Sequence, residues 1–416
     1  MRQTLQTAIT IVLVLSVLIF FHELGHLLMA KRAGILCREF AIGFGPKLFS
    51  FKIGETRYSI RLFPLGGYVR MAGEDPEVIE IQRGQRIGLQ LNDNQAVTRL
   101  FVNPPDSQPS LVGTVREIDL EKELFVVVED DERQELRFPV EPRAVIHHGH
   151  EEVQIAPIDR QFTGKTIGQR FLTIFAGPAM NFLLAIFFFI LAAWLYGVPS
   201  DEPVVGGIEP GTPAEVYGLK EGDRIVAIDG EPVSDWEALV NKVSSSPGMP
   251  LRLTIERQGS PLTLDVTPAQ DNGRGKLGIY PTTERTPDKV IPYGFAQSWF
   301  FTKATFQGFG MLITGAASFN DLAGPVGIFK MTGDMAAQGL GTLLIWTGLL
   351  SINLAVFNIL PIPALDGGRL IFLAIEALRG KPIDPHKESM VHLIGFALLM
   401  LLMIAVTYND VMRFFG

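Results

Sequence analysis

The chain has 416 residues, of which 47% are hydrophobic and 19% charged, and its formal net charge is −8 at pH 7. A soluble protein of this length is normally more polar, and a nucleic-acid partner requires a basic face, so the composition argues against both classes. The single cysteine, Cys37, excludes an intrachain disulfide.

Four apolar blocks predict transmembrane helices, because about 20 apolar residues cross the ~30 Å hydrocarbon core of a bilayer. They cover residues 5–30, 167–196, 340–360 and 391–406. The first block has an alternative interpretation as a signal peptide. His22, Glu23 and His26 argue against it, because such a peptide requires an uninterrupted apolar run.

A fifth block, residues 298–318, is apolar but contains Thr, Lys, Gln and the glycines Gly308, Gly310 and Gly315. This composition predicts an amphipathic helix lying on the membrane surface. Two polar regions separate the helices. Residues 71–161 contain short strand-like runs and predict a β-rich insertion, and residues 203–281 alternate between strands, turns and short helices.

Basic residues flank the first polar region and predict its side of the membrane. By the positive-inside tendency the insertion is cytosolic, and the N-terminus and the 203–281 region are extracytosolic. The basic residues are Lys31, Arg32 and Arg38 after the first helix, and Lys165 and Arg170 before the second.

The segment His22-Glu23-Leu24-Gly25-His26 is an H-E-x-x-H motif within the first predicted helix. Residues four apart share a helical face, so both imidazoles reach one ion. Glu23 is then placed as a general base toward a water on the metal. In a membrane span each ionisable side chain costs at least ~2.5 kcal/mol unless a partner offsets it, so three such groups in one helix favour a metal site.

A catalytic zinc has three protein ligands and one open position, so a third His, Asp or Glu is needed at the same depth. Asp366 is the better candidate, because two prolines and two glycines interrupt the helix around it. Irregular backbone at membrane depth is tolerated only beside protein or a water-filled cavity. One alternative is that Asp366 only caps the next helix, near Arg369. Another is a metal site in the insertion formed by His147, His148 and His150.

Membrane topology tests the assignment of Asp366. His22 and His26 lie toward the cytosolic end of the first helix. If residues 298–318 crossed the membrane, the following helix would run outward and Asp366 would reach the outer side. One zinc site formed by all three residues therefore requires four spans, with residues 298–318 on the outer surface.

These motifs resemble the bacterial site-2 proteases, in particular a Gram-positive branch with one PDZ domain, over essentially the whole chain. FHELGHLLMAKRAGI resembles the family's active-site helix, LDGGRL its Leu-Asp-Gly-Gly segment, and AGPAMN (residues 176–181) the start of its second helix. FAIGFGP (residues 40–46) and PLGGYVRMAGE (residues 64–74) resemble its membrane-associated β-hairpin. NDLAGPVGI (residues 320–328) resembles the segment after its PDZ domain.

The resemblance implies a zinc-dependent intramembrane endopeptidase with one zinc ion per chain. His22, His26 and Asp366 are implied as zinc ligands and Glu23 as the catalytic base. It also implies substrates that span the membrane once, namely anti-sigma factors already cut by an upstream site-1 protease, and remnant signal peptides. The protein is then expected in the lipid bilayer of the cell membrane, with its active site toward the cytosol and no nucleic-acid partner.

The resemblance also implies residues that bind the substrate. Asn353 and Asn358 match asparagines that position the substrate backbone, which fits the need of an unwound transmembrane helix for new amide partners. The alternative for both is interhelical hydrogen bonding. The implied substrate-binding glycines of the hairpin segment are Gly43, Gly45, Gly66 and Gly67.

Residues 206–268 resemble a PDZ domain with a circularly permuted order, and residues 276–279 resemble its carboxylate-binding strand. Gly278 and Ile279 are therefore implied in peptide binding. PDZ domains add a peptide as an extra strand and capture its C-terminal carboxylate. The alternative is a domain that selects substrates by excluding bulk.

The predicted fold is an α-helical integral membrane protein with four transmembrane helices, a membrane-associated β-hairpin segment, a cytosolic β-rich insertion and an extracytosolic PDZ domain. Two other classes compete with a protease. A receptor or scaffold with a degenerate site is disfavoured because all four chemical residues are present, and a transporter because no repeat of discontinuous helices is visible. The predicted domains are residues 1–70 (first helix and hairpin), 71–165 (insertion), 166–198 (second helix), 199–285 (PDZ), 286–335 (surface helix and linker) and 336–416 (third and fourth helices).

Overall fold

A computed structural model describes the chain over residues 2–74, 81–104, 109–149, 151–316, 318 and 323–415. The chain forms two compact units. The first comprises Met1–Leu184, Ala304–Ala337 and Leu350–Gly416, and the second Ala185–Lys303 and Gln338–Leu349. Two features singled out in the sequence, His150 and residues 320–322, lie outside the described residues.

The apolar blocks of the sequence all fold as α-helices, and shorter helices connect them. A 3-10 turn at Ile158–Arg160 precedes the second long helix. The helices are α1 (Arg2–Arg32), α2 (Ile167–Tyr196), α3 (Pro213–Val216), α4 (Trp236–Ser244), α5 (Pro287–Thr314), α6 (Pro325–Ala337), α7 (Leu340–Ile359), α8 (Asp366–Arg379) and α9 (Pro385–Phe415).

Within the described ranges, four helices are long and apolar enough to cross a membrane: α1 over Leu5–Arg32, α2, α7, and α9 over Lys387–Phe414. They coincide with the four blocks that the sequence indicates. Helix α5 is not among them, and it begins eleven residues before the predicted 298–318 segment. The number of crossings stays a prediction, because length and composition alone define these candidates.

Strands β1 (Cys37–Ile53) and β2 (Thr56–Met71) form a more folded sheet than the simple hairpin of the prediction. Residues 39–42 pair with residues 57–60 and also with residues 67–70, so the two long strands bend back on themselves. Glycines with positive φ at 43 and 45 permit that bend. The sheet carries many exposed apolar side chains, as expected of a surface in contact with lipid: Phe44, Leu48, Phe49, Phe51, Ile53, Ile60, Leu62 and Phe63.

The insertion folds into six strands, which agrees with the β-rich prediction: β3 (Arg86–Leu91), β4 (Val97–Val102), β5 (Leu111–Asp119), β6 (Phe125–Glu129), β7 (Glu135–His148) and β8 (Glu151–Gln154). They form one sheet with the order β4-β3-β5-β6-β7-β8. An added parallel pairing of β4 with β7 closes five of the strands into a ring. Alternating side chains such as Ile87, Leu89 and Leu100 fill its interior with no exposure.

The second unit contains ten short strands: β9 (Val198–Pro199), β10 (Val205–Ile208), β11 (Arg224–Ile228), β12 (Glu231–Pro232), β13 (Leu251–Arg257), β14 (Ser260–Val266), β15 (Ala269–Asp271), β16 (Arg274–Lys276), β17 (Ile279–Pro281) and β18 (Thr283–Glu284). Four of them form a sheet of order β12-β11-β13-β14, which packs with the helix α4 around Ile225, Leu239 and Leu253. Asp235 caps α4, since its carboxylate accepts a hydrogen bond from Ala238 N at 2.8 Å.

One apolar core of the first unit joins the elements that carry the motifs. It contains side chains from α1, β1, β2, α2 and α8, so these five elements fix one another's positions. Its buried members include Leu27, Phe40, Val69, Ile174 and Leu373.

Candidate metal centre

Helix α1 presents the H-E-x-x-H motif on its buried side. His22 and His26 are one turn apart, and their Nε2 atoms lie 3.3 Å from each other. Both imidazoles are buried, and so is Glu23. The helical period therefore aims two metal-ligating nitrogens at one point, with a carboxylate next to them.

Two glycines allow α2 to approach this face of α1. A Cβ on Gly25 would lie 2.2 Å from the carbonyl oxygen of Ala176, and a Cβ on Gly177 would lie 2.3 Å from His26 Nε2. A side chain on Gly25 would push α1 and α2 apart, and a side chain on Gly177 would displace the His26 imidazole. Close helix packing through small residues, common in membrane proteins, thus places α2 directly over the histidine pair.

Asp366 reaches the histidines because α7 ends at Ile359 and α8 begins at Asp366 itself. The capping alternative placed the start of this helix near Arg369, but the helix begins three residues earlier and its N-cap residue is Leu365. Gly367 and Gly368 lie against the carbonyls of the turn, where a Cβ would lie 2.1 Å from Leu360 O and 2.5 Å from Ile362 O. The tight turn needs both glycines and leaves the Asp366 carboxylate pointing at α1.

The three ligand atoms form a nearly equilateral triangle. Asp366 Oδ2 lies 3.2 Å from His22 Nε2 and 3.4 Å from His26 Nε2, and the two nitrogens are 3.3 Å apart. A tetrahedral zinc site with bonds of about 2.0–2.1 Å separates its ligand atoms by about 3.3–3.4 Å. Asp366 Oδ2 is also buried without a hydrogen bond within the described residues. The geometry and the donor set both fit a tetrahedral metal ion with a fourth position open.

Helix α2 supplies partners for the other nitrogen of each imidazole. His26 Nδ1 donates to the Thr173 carbonyl at 2.8 Å, which leaves its Nε2 lone pair for a metal. His22 Nδ1 lies 3.2 Å from Nδ2 of the Asn181 side-chain amide. The other amide atom, Asn181 Oδ1, is buried and has no hydrogen-bond partner among the described residues. A half-turn of that amide lets Oδ1 accept the Nδ1 proton. The sequence interpretation assigned no role to Thr173 or Asn181, although AGPAMN was noted.

Ion pairs anchor α8 at both ends. Arg369, one turn after Asp366, pairs with Glu74 at the end of the β1–β2 sheet. Near the other end of α8, Glu376 accepts two hydrogen bonds from the buried guanidinium of Arg170 on α2, at 2.5 and 3.0 Å. A bidentate pair fixes orientation as well as distance. The helix that carries Asp366 is therefore held against α2 and the sheet.

The hairpin glycines have different surroundings from one another. A Cβ on Gly67 would lie 2.7 Å from Glu23 Cγ, so Gly67 places the outer strand segment 67–71 beside the motif. The other three pack within the sheet, with Gly43 and Gly45 near Phe63 and Gly66 near Phe44. Their positions account for the shape of the sheet, and Gly67 alone of the four lies against the metal-site helix.

The two asparagines of α7 are half-buried. Asn353 Oδ1 accepts a hydrogen bond from Thr305 Oγ1 of α5 at 2.8 Å, which is the interhelical role given above as the alternative. Asn358 lies one residue before the end of α7, eight residues from Asp366. A role for either residue in substrate binding stays a prediction.

Two predictions remain, a metal site at His147 and its neighbours and a peptide-binding site in the PDZ region. Across the described residues, His22, His26 and Asp366 are the one group of three metal-ligating residue types whose ligand atoms all lie within 4.8 Å of one another. His147 instead stacks on Phe101, 4.8 Å between ring centroids. In the second unit Gly278 has φ +79° and precedes β17, whose Ile279 pairs with Ile208 of β10.

Two histidines and a glutamate on one membrane helix, completed by a carboxylate from a second helical segment, define the class of membrane-embedded metallopeptidases. The family model of Peptidase family M50 matches residues 10–402, so the chain belongs to that family and is a metalloendopeptidase. Its several long apolar helices make it a multi-pass membrane protein.

Known relatives match along their whole length. The chain is 50% identical to a zinc metalloprotease RasP of Geobacillus kaustophilus, covering 100% of both chains. It is 45% identical to the regulator of sigma-W protease RasP of Bacillus subtilis, covering 98% of this chain and 99% of that one. The PDZ domain of an SdrC-like protein from Listeria innocua, known from its crystal structure, is 18% identical in sequence. The match covers 20% of this chain and 97% of that one, with a TM-score of 0.19.

Proposed function

We propose that this chain is a zinc-dependent intramembrane endopeptidase that cuts transmembrane segments of single-span membrane proteins in regulated proteolysis. The triangle formed by His22, His26 and Asp366 on membrane helices carries the proposal. Relatives that are named zinc metalloproteases support zinc as the metal, and the Bacillus subtilis relative, named for the regulation of sigma-W, supports anti-sigma factors as a substrate class.

His22, His26 and Asp366 would hold the zinc, which when bound supplies a Lewis acid for peptide hydrolysis. The residues of the chain then perform the proton transfers. The Glu23 carboxylate takes a proton from the attacking water and delivers it to the leaving peptide nitrogen. The Thr173 carbonyl and the Asn181 amide hold the imidazoles so that both Nε2 atoms face Asp366, where they would bind the metal.

The outer strand segment 67–71 is the proposed docking edge for the substrate. Residues 67–70 pair with residues 42–39 on one side, and within the described residues their other edge has no strand partner. A substrate helix must unwind before its peptide bonds are cut, and its freed amides then need partners at membrane depth. An open strand edge beside Glu23 offers such partners by strand addition.

The site also supports the proposed orientation in the membrane. If α1 and α7 both cross the membrane, the C-terminal half of α1 and the segment after α7 meet at one metal centre only when the two helices run in the same direction. Because α2 crosses back, α5 and α6 together make no net crossing. Helix α6 packs at the opposite end of α1 from the metal site, since a Cβ on Gly333 would lie 2.7 Å from Thr7 Cγ2.

Cysteine labelling tests this topology. Single cysteines at Pro292 and Asp334, both exposed, are expected to react with a membrane-impermeant thiol reagent on intact cells, in a background lacking Cys37. A cysteine at Glu123, exposed in the insertion, should react only after permeabilisation and serves as the matched control. Labelling of Pro292 from outside but of Asp334 only after permeabilisation would reveal a fifth span and contradict the proposed zinc site.

Residues 199–285 are proposed as a PDZ domain that selects substrates already shortened by a first protease. In proteoliposomes, a single-span anti-sigma factor trimmed on its extracytosolic side should be cut within its span, whereas the untrimmed form should not. Product masses locate the cut, and a chelator should stop it. Amidation of the trimmed C-terminus distinguishes two modes: it lowers the rate if the domain captures the carboxylate and leaves it unchanged if the domain excludes bulk. Equal cleavage of trimmed and untrimmed substrate would refute selection.

A further inference from the structure

The turn before Asp366 contains a strained residue. Ala364 has φ +76°, in the left-handed region that glycine occupies freely and that costs an alanine energy because of its Cβ. Such a conformation persists only where surrounding contacts hold it. Because Ala364 lies two residues before Asp366, the same contacts determine where the Asp366 carboxylate points.

Helix α9 provides the contact that holds Ala364. The Ala364 N–H donates a hydrogen bond of 2.9 Å to Nδ1 of His392. An accepting Nδ1 carries no proton, so the ring is the tautomer protonated on Nε2. The ring itself is fixed by packing on Phe372, 5.4 Å between ring centroids, and Glu388 Oε1 lies 3.8 Å from its Nε2.

A second contact lies one turn further along α9. A Cβ on Gly395 would lie 2.4 Å from Pro363 Cβ and 2.7 Å from Pro363 O. Residues three apart share a helical face, so His392 and Gly395 together receive the Pro363–Ala364 peptide. This face of α9 therefore contacts the irregular backbone where it leaves α7.

We propose that His392 is a positioning residue for the metal site. Its Nδ1 holds the Ala364 amide in the strained turn, and the turn in turn aims Asp366 at His22 and His26 before a metal arrives. The assignment rests on the proposed role of Asp366 as a ligand. Without the acceptor, Ala364 relaxes toward negative φ and Asp366 Oδ2 leaves the triangle.

Three substitutions separate the hydrogen bond from packing. His392→Asn keeps an acceptor atom at the δ position, whereas His392→Phe keeps a ring against Phe372 but has no acceptor. Ala364→Gly removes the strain, because glycine adopts this φ freely. We expect His392→Phe to weaken zinc binding about tenfold or more, the range known for partners outside the ligand set. His392→Asn should stay near wild type, and Ala364→Gly should rescue His392→Phe.

The measurements are zinc affinity by chelator competition and amide hydrogen exchange of the 360–366 segment in the metal-free protein. Faster exchange in His392→Phe but not in His392→Asn supports the proposal, and so does a smaller effect of His392→Phe in the Ala364→Gly background. Equal zinc affinity and exchange in His392→Phe and wild type would overturn it. If exchange changes while zinc affinity does not, His392 holds the turn but does not position the Asp366 carboxylate, which overturns the proposal as well, whereas Asp366→Ala tests the ligand assignment separately.

Discussion

Replacing Glu23 with glutamine is expected to abolish peptide cleavage and to leave zinc binding intact. The amide has nearly the shape of the carboxylate, so the contact with Gly67 is preserved, but it cannot accept the proton of the attacking water. General base catalysis contributes about 10²–10⁴-fold, and kcat should fall by at least that lower figure. His22, His26 and Asp366 are untouched, so the metal content measured by mass spectrometry should equal that of the wild type.

A matched control is Glu123→Gln, which removes an exposed carboxylate of the insertion and should leave both quantities unchanged. Cleavage of a model transmembrane substrate by Glu23→Gln at the wild-type rate would show that another group is the base. Loss of zinc together with activity would show that Glu23 is a ligand, which the triangle of the other three side chains does not require.

The grouping of the candidate metal site could be predicted from the sequence where its residues lie close together in the chain. His22 and His26 are one turn apart on one helix, so the period alone brings them together. Asp366 was chosen as the third candidate ligand because proline and glycine interrupt the helix around it and because the three ligands must lie at the same membrane depth. Both inferences use the covalent sequence and the thickness of the bilayer and need no knowledge of tertiary packing.

The partners of the ligands could not be predicted in the same way. Thr173 acts through a backbone carbonyl, which any residue type would supply, and Asn181 depends on the close approach of α2 to α1 through Gly25 and Gly177. The small residues of AGPAMN were the available signal, since they mark tight helix contacts in membranes. The role of His392 could not be predicted either, because the strain at Ala364 is invisible in the sequence.

The β1–β2 sheet illustrates a further limit. The family resemblance implies a β-hairpin, but residues 39–42 pair on both sides, with residues 57–60 and 67–70. That register depends on bends within the strands, which glycine permits but does not specify. The outer segment 67–71 and its contact with Glu23 through Gly67 follow from the folded sheet alone.

Replacing Asp366 with alanine is expected to release the zinc. Only the two imidazoles of the triangle would remain. A catalytic zinc is held by three protein ligands, so two are too few to retain it. The loss of affinity should exceed the about 10–100-fold that removal of a partner outside the ligand set costs. Cleavage should be lost in parallel. Metal content after dialysis and affinity by chelator competition measure the effect.

Two further variants make the result specific to the ligand. Asp366→Asn keeps the size of the side chain at the start of α8 but lacks the charge, so it separates the loss of the charged ligand from the loss of side-chain volume. It should also lose zinc, and the metal-free protein should lose no more than the about 0.3–1 kcal/mol that an acidic residue contributes at a helix start. Simultaneous replacement of His147, His148 and His150 with alanine should leave zinc content and cleavage unchanged. If that triple variant loses the metal and Asp366→Ala retains it, the metal centre lies in the insertion, and the site on α1 and α8 is wrong.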